Sequence, residues 1–478
     1  MLYQNVSKYG LATHLAFAAA LPAALTQFVS VTALSVAILW VSLLACIWML
    51  MEPSVFSGET ISAARSRVLR GVLRDPFAWI LWVSCLFALI RWLNSGVRLA
   101  FDAENSVWQI KEPAVSFLPA STGNSALLPL ALMVAAAVVV IGVRHALGKN
   151  ARIWFGVFSG AISAVGAFAA VVCAGLEMEP FKALAFSEFG SRFFIGSMFA
   201  LFLPITVACG VEAEECGMTK ARLVFAWAVG GNAVGAFVFL PGILGFGYLA
   251  ASALVALMAL FRLKKRAGAA ACARAASMVA FGVVIAVFSA VLPPYAKIQE
   301  SKLEGLDVEK AFPAALADRN SVLHGISKSM WLEYPWSGVG VGAFRLHAPF
   351  FASKEDWSVL PPEPKDGSNG YFTLIAERGI CGALMWLIGI GFLLQFWISR
   401  LVGSIAWHKS QDDARAWFFC VPTVVWTGPL VLVLFAVDAW FSSGFPLTPL
   451  SACLIAAMSL SAASFPRVKR SKNNEKEG

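Results

Sequence analysis

The stretch Glu333-Tyr-Pro-Trp-Ser-Gly-Val-Gly-Val-Gly-Ala-Phe-Arg-Leu-His347 lies in the one long polar segment of an otherwise apolar sequence, residues 295–380. Its alternating glycines, Gly338, Gly340 and Gly342, are not followed by the Gly-Lys-Ser/Thr of a phosphate-binding P-loop. Glycines in this arrangement instead let the backbone approach a neighbouring helix or a ligand closely. We therefore expect the chemistry of the protein to reside in this segment.

The composition outside this segment is that of a membrane protein. Hydrophobic residues make up 59% of the chain, charged residues make up 14%, and the mean hydropathy is +0.73, whereas about 25% of residues are charged in an ordinary soluble domain. Apolar runs of about 17 to 25 residues are long enough to cross a bilayer. Twelve such runs predict an all-α, polytopic protein of about 12 transmembrane helices, near residues 11–28, 31–51, 76–94, 126–143, 153–175, 193–211, 223–240, 242–261, 275–293, 381–399, 417–440 and 445–464.

The basic residues predict the orientation of these spans. If both termini are cytoplasmic, most lysines and arginines fall on the cytoplasmic side, and the outer connectors other than the long one carry only Arg91, Arg98, Lys111, Lys182 and Arg192. Such a bias is typical of a multi-pass protein with both termini in the cytoplasm. It places the long loop between spans 9 and 10 on the outer face.

The chain then divides into four parts: spans 1–9 in residues 1–294, the loop in 295–380, spans 10–12 in 381–464, and a basic cytoplasmic tail in 465–478. The net charge of +9 fits this topology and the anionic lipids of the inner leaflet. No motif indicates a nucleic-acid partner. The nine cysteines lie outside the loop and lack metal-ligand spacing. We expect no metal and no cofactor.

An arginine begins the first helix of the loop. At 3.6 residues per turn, Arg319 shares a face with Leu323, Ile326 and Met330. A long basic side chain at such a position can extend along the apolar surface into water. Its planar guanidinium can equally bind a phosphate through two hydrogen bonds, and both interpretations remain open.

The second half of the loop supplies further polar candidates. Asp366, Ser368 and Asn369 precede a helical run and are good N-cap residues, but a helix N-terminus also receives diphosphates. Glu377 lies in the last turn of that run. A lone histidine is usually structural, yet His347 lies in the polar loop and stays a functional candidate.

These residues resemble the loop of the O-antigen ligase and O-antigen polymerase-like superfamily of membrane glycosyltransferases. The resemblance rests on the order Arg319, amphipathic helix, Pro335, Gly338-Val-Gly340, and on Asn369 followed by nine residues and Gly379-Ile-Cys-Gly382. A long periplasmic loop late in a chain of about twelve spans is similar as well. Outside the loop, the similarity is limited to hydropathy and to the order of the spans.

Two positions depart from the family pattern. Ser368 stands where family members carry the histidine thought to act as the base toward the acceptor, and Leu240-Pro-Gly242 lacks the arginine of the family's Ser-Arg-Gly. A positioned base accelerates such a reaction by about 10²- to 10⁴-fold. Either His347, Asp366 or Glu377 replaces it, or arginines alone activate the diphosphate, or the protein is inactive.

The resemblance implies a protein of the bacterial inner (cytoplasmic) membrane that transfers a glycan from a polyprenyl-diphosphate carrier to a hydroxyl of a lipid or glycan acceptor. The other partners are membrane lipids. The alternatives are a non-catalytic relative in an envelope-assembly complex and a transporter of lipid-linked glycans. The catalytic candidates are Arg319, Ser368, Glu377 and His347, and the substrate-binding candidates are Arg345, Asp366, Asn369 and Arg192.

Overall fold

The computed structural model describes the whole chain except residues 1, 26–30, 56–58, 95–97, 103–106, 112–114, 116–125, 177–190, 219–220, 241, 292–313, 359–366, 368, 410–420, 442–459, 462 and 464–478. Most of the described chain is helical. The helices are α1 (Leu2–Leu25), α2 (Val31–Met51), α3 (Ile61–Leu73), α4 (Pro76–Leu93), α5 (Leu127–Ile141), α6 (Lys149–Gly175), α7 (Ser191–Glu215), α8 (Ala221–Phe239), α9 (Gly242–Val291), α10 (Ala314–Glu333), α11 (Phe344–Phe351), α12 (Gly370–Lys409) and α13 (Thr423–Phe441). A π-helical turn, Gly142–Ala146, extends α5, and a short 3₁₀ turn covers Asp356–Ser358.

Within the described residues, nine helical segments are long and apolar enough to cross a membrane, so the predicted class of helical membrane protein is confirmed. The segments are Thr32–Met51, Pro76–Leu93, Leu127–Ala146, Lys149–Cys173, Gly196–Glu215, Arg222–Phe239, Gly245–Phe288, Gly370–Ala406 and Thr423–Trp440. The first predicted run corresponds to a shorter apolar helix, Gly10–Pro22, and most of the run near 445–464 lies outside the described residues.

Helix α9 contains two of the predicted runs in 50 residues. It breaks at Gly268, whose φ of 86° is accessible mainly to glycine. Arg266 before the break and Arg274 after it contact neighbouring carboxylates of α7, Glu215 and Glu214. Both halves of α9 therefore meet the same end of α7.

Small residues bring the central helices together. A Cβ on Gly231 of α8 would lie 2.5 Å from the Cβ of Ala164 on α6, so the two helices approach closely only with a glycine there. Ser163 donates a 2.6 Å hydrogen bond to the Asn232 side chain across the same contact. Close packing of small residues and hydrogen bonds between helices are the usual means of association in membrane bundles.

One short strand pair accompanies the helices of the predicted all-α class. Residues Arg98–Asp102 (β1) and Val107–Lys111 (β2) form an antiparallel pair in which Phe101 lies opposite Trp108. Of these residues, only Trp108–Lys111 shows the apolar and polar alternation that favours a strand.

An ionic cluster lies where α4 begins. Asp75 caps α4 by accepting a hydrogen bond from the Phe77 amide, and its carboxylate contacts Arg144 and His145 at 3.0 Å each. Burial alone would raise the pKa of Asp75, but the hydrogen bond with His145 and the charge of Arg144 outweigh it and lower the pKa. The cluster joins α4 to the end of α5 at the end of the bundle opposite Arg91.

Candidate functional site

The long loop meets the bundle at a break in α12. Gly379 has a φ of 61° and a ψ of −166°, which separates a short first half of the helix from the half long enough to span a membrane. A helix break leaves carbonyls before it and amides after it without their usual partners. These groups require hydrogen bonds from elsewhere in the chain.

The carbonyls before the break receive bonds from the glycine-rich segment. The amide of Val339 donates to the carbonyl of Ala376 at 2.9 Å, and the amide of Gly340 donates to the carbonyl of Glu377 at 3.1 Å. The backbone of the Gly-Val-Gly stretch thus pairs with the end of the short helix.

The amides after the break donate hydrogen bonds to carbonyls that precede the glycine-rich segment. The amide of Ile380 donates to the carbonyl of Pro335 at 2.9 Å, and the amide of Cys381 donates to the carbonyl of Trp336 at 3.2 Å. Together with the two preceding bonds, this exchange satisfies both sides of the break. The loop and α12 therefore form one structural unit.

Glycine is required on both sides of this contact. A Cβ on Gly338 would lie 2.4 Å from the carbonyl carbon of Glu377, and one on Gly379 would lie 2.5 Å from the carbonyl carbon of Trp336. Gly338 also has a positive φ of 67°. The two glycine motifs that are far apart in sequence thus allow two backbones to touch.

Arg91, from the end of α4, ties this unit to the bundle. The residue is fully buried, and its guanidinium donates to the carbonyl of Glu377 at 2.9 Å and to the carbonyl of Ser337. Its guanidinium carbon also lies 4.6 Å from the centre of the Phe87 ring. Sequence reasoning treated Arg91 only as an outer positive charge, although an arginine inside an apolar run is itself a signal.

Glu377 is buried, and its side chain forms a hydrogen bond with the first residue of α11. Its Oε1 accepts a 3.4 Å hydrogen bond from the amide of Phe344, the first residue of that helix. A carboxylate at a helix N-terminus is favourable because it pairs with the free amides and the partial positive charge there. Arg378, also buried, interacts electrostatically with Glu377 and with Arg91. Glu377, predicted as an acid or base, is thus part of a charged cluster with a positioning role.

His347 lies on α11, one turn beyond Phe344. Its side chain is buried, and its ring meets the ring of Tyr334 edge-on at 6.4 Å. Burial lowers the pKa of His347, which favours the neutral imidazole at pH 7. Its Nδ1 has no hydrogen-bond partner among the described residues. By contrast, His324 stacks on Phe372 at 4.4 Å.

Asn369 acts as a helix cap. Its side-chain oxygen accepts hydrogen bonds from the amides of Tyr371 and Phe372 at 2.8 and 3.4 Å, and its amide group donates to the carbonyl of Trp440 at 3.0 Å. Asn369 had two interpretations, helix capping and diphosphate binding, and its hydrogen bonds are those of a helix cap. The same side chain also fastens α12 to the end of α13.

The helix predicted to follow Arg319 is present as α10. Leu323, Ile326 and Met330 are buried together, as their spacing predicted, and they pack against Phe344 of α11. Arg319 lies in the first half of α10, but its side chain is outside the described residues.

The remaining candidates are Arg345, Arg192, Asp366 and Ser368. Arg345 is exposed on α11, and Arg192 is in the first turn of α7 with a side chain outside the described residues. Asp366 and Ser368 also lie outside the described residues. Leu240, at the site of the family's missing arginine motif, is fully buried.

A buried carboxylate lies near this junction on α13. Asp438 accepts a hydrogen bond from the hydroxyl of Ser197 on α7, and it lies two residues before Trp440, whose carbonyl binds Asn369. Ionisable groups inside a membrane bundle are costly and often functional.

Neither a protein-family model nor a curated protein matches the chain.

Proposed function

We propose that the chain is a membrane glycosyltransferase of the O-antigen ligase or polymerase type. It has about twelve spans in a bacterial inner membrane, with both termini in the cytoplasm and the loop on the outer face. It transfers a glycan from a polyprenyl-diphosphate carrier to a hydroxyl of a lipid or glycan acceptor.

One observation supports this proposal above the others. The two glycine motifs that carry the resemblance, Gly338-Val-Gly340 and Gly379-Ile-Cys-Gly382, pack against each other through backbone hydrogen bonds. Two short motifs could match independently by coincidence. Their contact means that the matching residues belong to one structural unit, which is what a shared functional loop requires.

In the proposed reaction, the acceptor oxygen forms a bond to the anomeric carbon of the sugar while the bond from that carbon to the diphosphate breaks. The acceptor proton passes to a base, and the diphosphate leaves with the electron pair. Cationic groups stabilise the developing charge. Arg319 and Arg345 are assigned to the diphosphate, and the neutral His347 is assigned the role of base.

The assignment of His347 follows from the geometry of Glu377 and of the histidine itself. Glu377 already holds the N-terminus of α11, and Asp366 is outside the described residues. His347 is held by α11 beside Tyr334, and a neutral imidazole is able to accept a proton. Ser368 is a weaker candidate because a hydroxyl is not a base near neutral pH.

The proposal is tested by deleting the gene and analysing lipopolysaccharide and capsule by electrophoresis. Complementation with Arg319→Ala or Arg345→Ala should fail to restore the glycan, while Lys328→Gln, which removes an exposed charge from α10, should restore it. Membrane insertion is checked by immunoblotting of the membrane fraction. A deletion strain with an unchanged glycan profile would contradict the proposed function.

A non-catalytic role in an envelope-assembly complex is the second candidate. It is favoured by the hydrogen bonds of Asn369 and Glu377, since these two predicted site residues hold the fold of the loop. This role predicts that deletion alters the glycan but that Arg319→Ala, Arg345→Ala and His347→Gln all complement it.

A further inference from the structure

We propose that α3 forms a binding surface for anionic phospholipid headgroups at the end of the bundle opposite the candidate site. The surface consists of Leu69 and Leu73 with Arg65, Arg70 and Arg74. This inference is independent of the proposed glycosyl transfer, because it concerns another part of the chain and a lipid that is not a substrate.

Helix α3 is fixed across the ends of two spans. Thr60 caps its N-terminus through the amide of Ala63. Arg65 donates two hydrogen bonds, of 3.1 and 2.6 Å, to the carbonyl of Met51 at the end of α2. The indole of Trp79 on α4 donates to the carbonyl of Leu73. The helix therefore lies beside the ends of α2 and α4.

One face of α3 packs on the protein and the other does not. Ala64 and Val68 are buried, whereas Leu69 and Leu73 are 54% and 55% exposed. Exposed apolar residues that continue a larger apolar surface mark a contact with a membrane or a protein. This pattern is typical of a helix that lies in the plane of a membrane surface.

The exposed leucines continue the apolar surfaces of the adjoining spans. On α4, Trp79 and Trp82 are exposed next to the end of α3, and on α2, Leu50 and Met51 are exposed next to its start. Because both spans present apolar surface to the surrounding lipid, the outward face of α3 adjoins that lipid. The occupant of this face is therefore the bilayer.

The positive charge of the same face favours anionic headgroups. Arg65, Arg70 and Arg74 are exposed, and none of them forms an ion pair in the part of the chain that the structure describes. Arg67, on the inner side, is instead paired with Glu59 at 2.9 Å. Guanidinium groups bind phosphate oxygens well, and each basic residue near an anionic surface strengthens the attraction.

The test is native mass spectrometry of the full-length protein released from phosphatidylcholine nanodiscs that contain phosphatidylglycerol as a minor component. We expect the wild type to retain phosphatidylglycerol preferentially. The double variant Arg70→Gln/Arg74→Gln should retain less, by about fivefold for each arginine removed. Arg65 is left unchanged because it also bonds to Met51.

Three control variants test whether retention depends on the position of the charge, on the charge itself and on the exposed leucines. Lys328→Gln/Lys354→Gln removes the same charge from the exposed loop and should behave as the wild type, and Arg70→Lys/Arg74→Lys should keep the preference. Leu69→Ser/Leu73→Ser should weaken retention if the face lies in lipid. Equal retention by the wild type and the Arg70→Gln/Arg74→Gln variant would overturn the proposal, as would full retention by the leucine variant.

Discussion

Arg91 and Glu377 are joined by a 2.9 Å hydrogen bond from a guanidinium to a backbone carbonyl, although 286 positions separate them in the chain. The bond forms where α12 breaks, so it links the end of α4 to the base of the long loop. One buried arginine therefore contributes, together with the bond from Asn369 to Trp440, to the position of the loop above the bundle.

Replacing this arginine should release the loop. Arg91→Met removes the charged donor from the half-buried carbonyl of Ser337 and from the buried carbonyl of Glu377, which keeps only the amide of Gly340, and we expect a loss of about 3 kcal/mol. Thermal unfolding in detergent and limited proteolysis of the loop measure the effect. Lys328→Gln serves as the control. Unchanged proteolysis of Arg91→Met would show that other contacts position the loop.

Two glycines of α12 provide a matched comparison. Gly379→Ala imposes a strained positive φ and a contact at 2.5 Å with Trp336, so it should destabilise the protein by about 2 kcal/mol or more. Gly391→Ala meets nothing within 4 Å and should be neutral or stabilise by about 0.5 kcal/mol. Both are measured by thermal unfolding. Equal effects would mean that the break at Gly379 is unimportant for stability.

Asn369 has two separable contacts. Asn369→Ala removes the cap and the bond to Trp440, at a cost of about 1 kcal/mol for each. Asn369→Ser keeps a capping oxygen but is too short to replace the bond to Trp440, so its stability should be intermediate. Denaturation in detergent ranks the three proteins. A serine variant as unstable as the alanine variant would argue against capping.

The charge of Asp75 should make stability depend on pH. Its folded-state pKa is lowered from the usual 3.8, so its ionised form contributes stability above the unfolded-state pKa. This contribution is lost as the pH falls through the lower, folded-state pKa. Asp75→Asn retains the cap on Phe77 but not the charge. It should be less stable than the wild type at pH 7, and the difference should begin to shrink near pH 4 and disappear only below the folded-state pKa. Unfolding temperatures measured across this range test the prediction.

If His347 is the base, glycosyl transfer should fail in acid. Burial lowers the pKa of His347 below 6.5, and the imidazole cannot accept a proton once the pH falls through that value. The acid limb of kcat/KM should thus lie below pH 6.5. His347→Gln should remove the limb and lower kcat by about 100-fold. An unchanged profile would exclude His347 as the base.

Local patterns predicted much of the fold. The apolar runs anticipated the helices of the bundle, and the spacing of Leu323, Ile326 and Met330 anticipated the buried face of α10. The strand pair at residues 98–111 was missed, because most of its residues do not alternate between apolar and polar. Hydropathy averages over a window about as long as a span, and such a window does not register two five-residue strands.

The site was predicted only in part. Its glycine motifs and Asn369 were marked by local spacing, and the capping role of Asn369 was one of the two interpretations offered. Arg91 was counted only as a positive charge. Glu377 was selected for its chemistry, but its bond to Phe344 depends on how α11 is packed.

Composition and periodicity were sufficient to establish that this chain is a helical membrane protein with a separate polar loop, because burial in lipid and helical geometry act on neighbouring residues. Which groups meet across the break at Gly379 was decided only by tertiary structure. A helix break exposes backbone carbonyls, and every residue type has a carbonyl, so no pattern of side chains identifies Ser337 and Glu377 as the partners of Arg91.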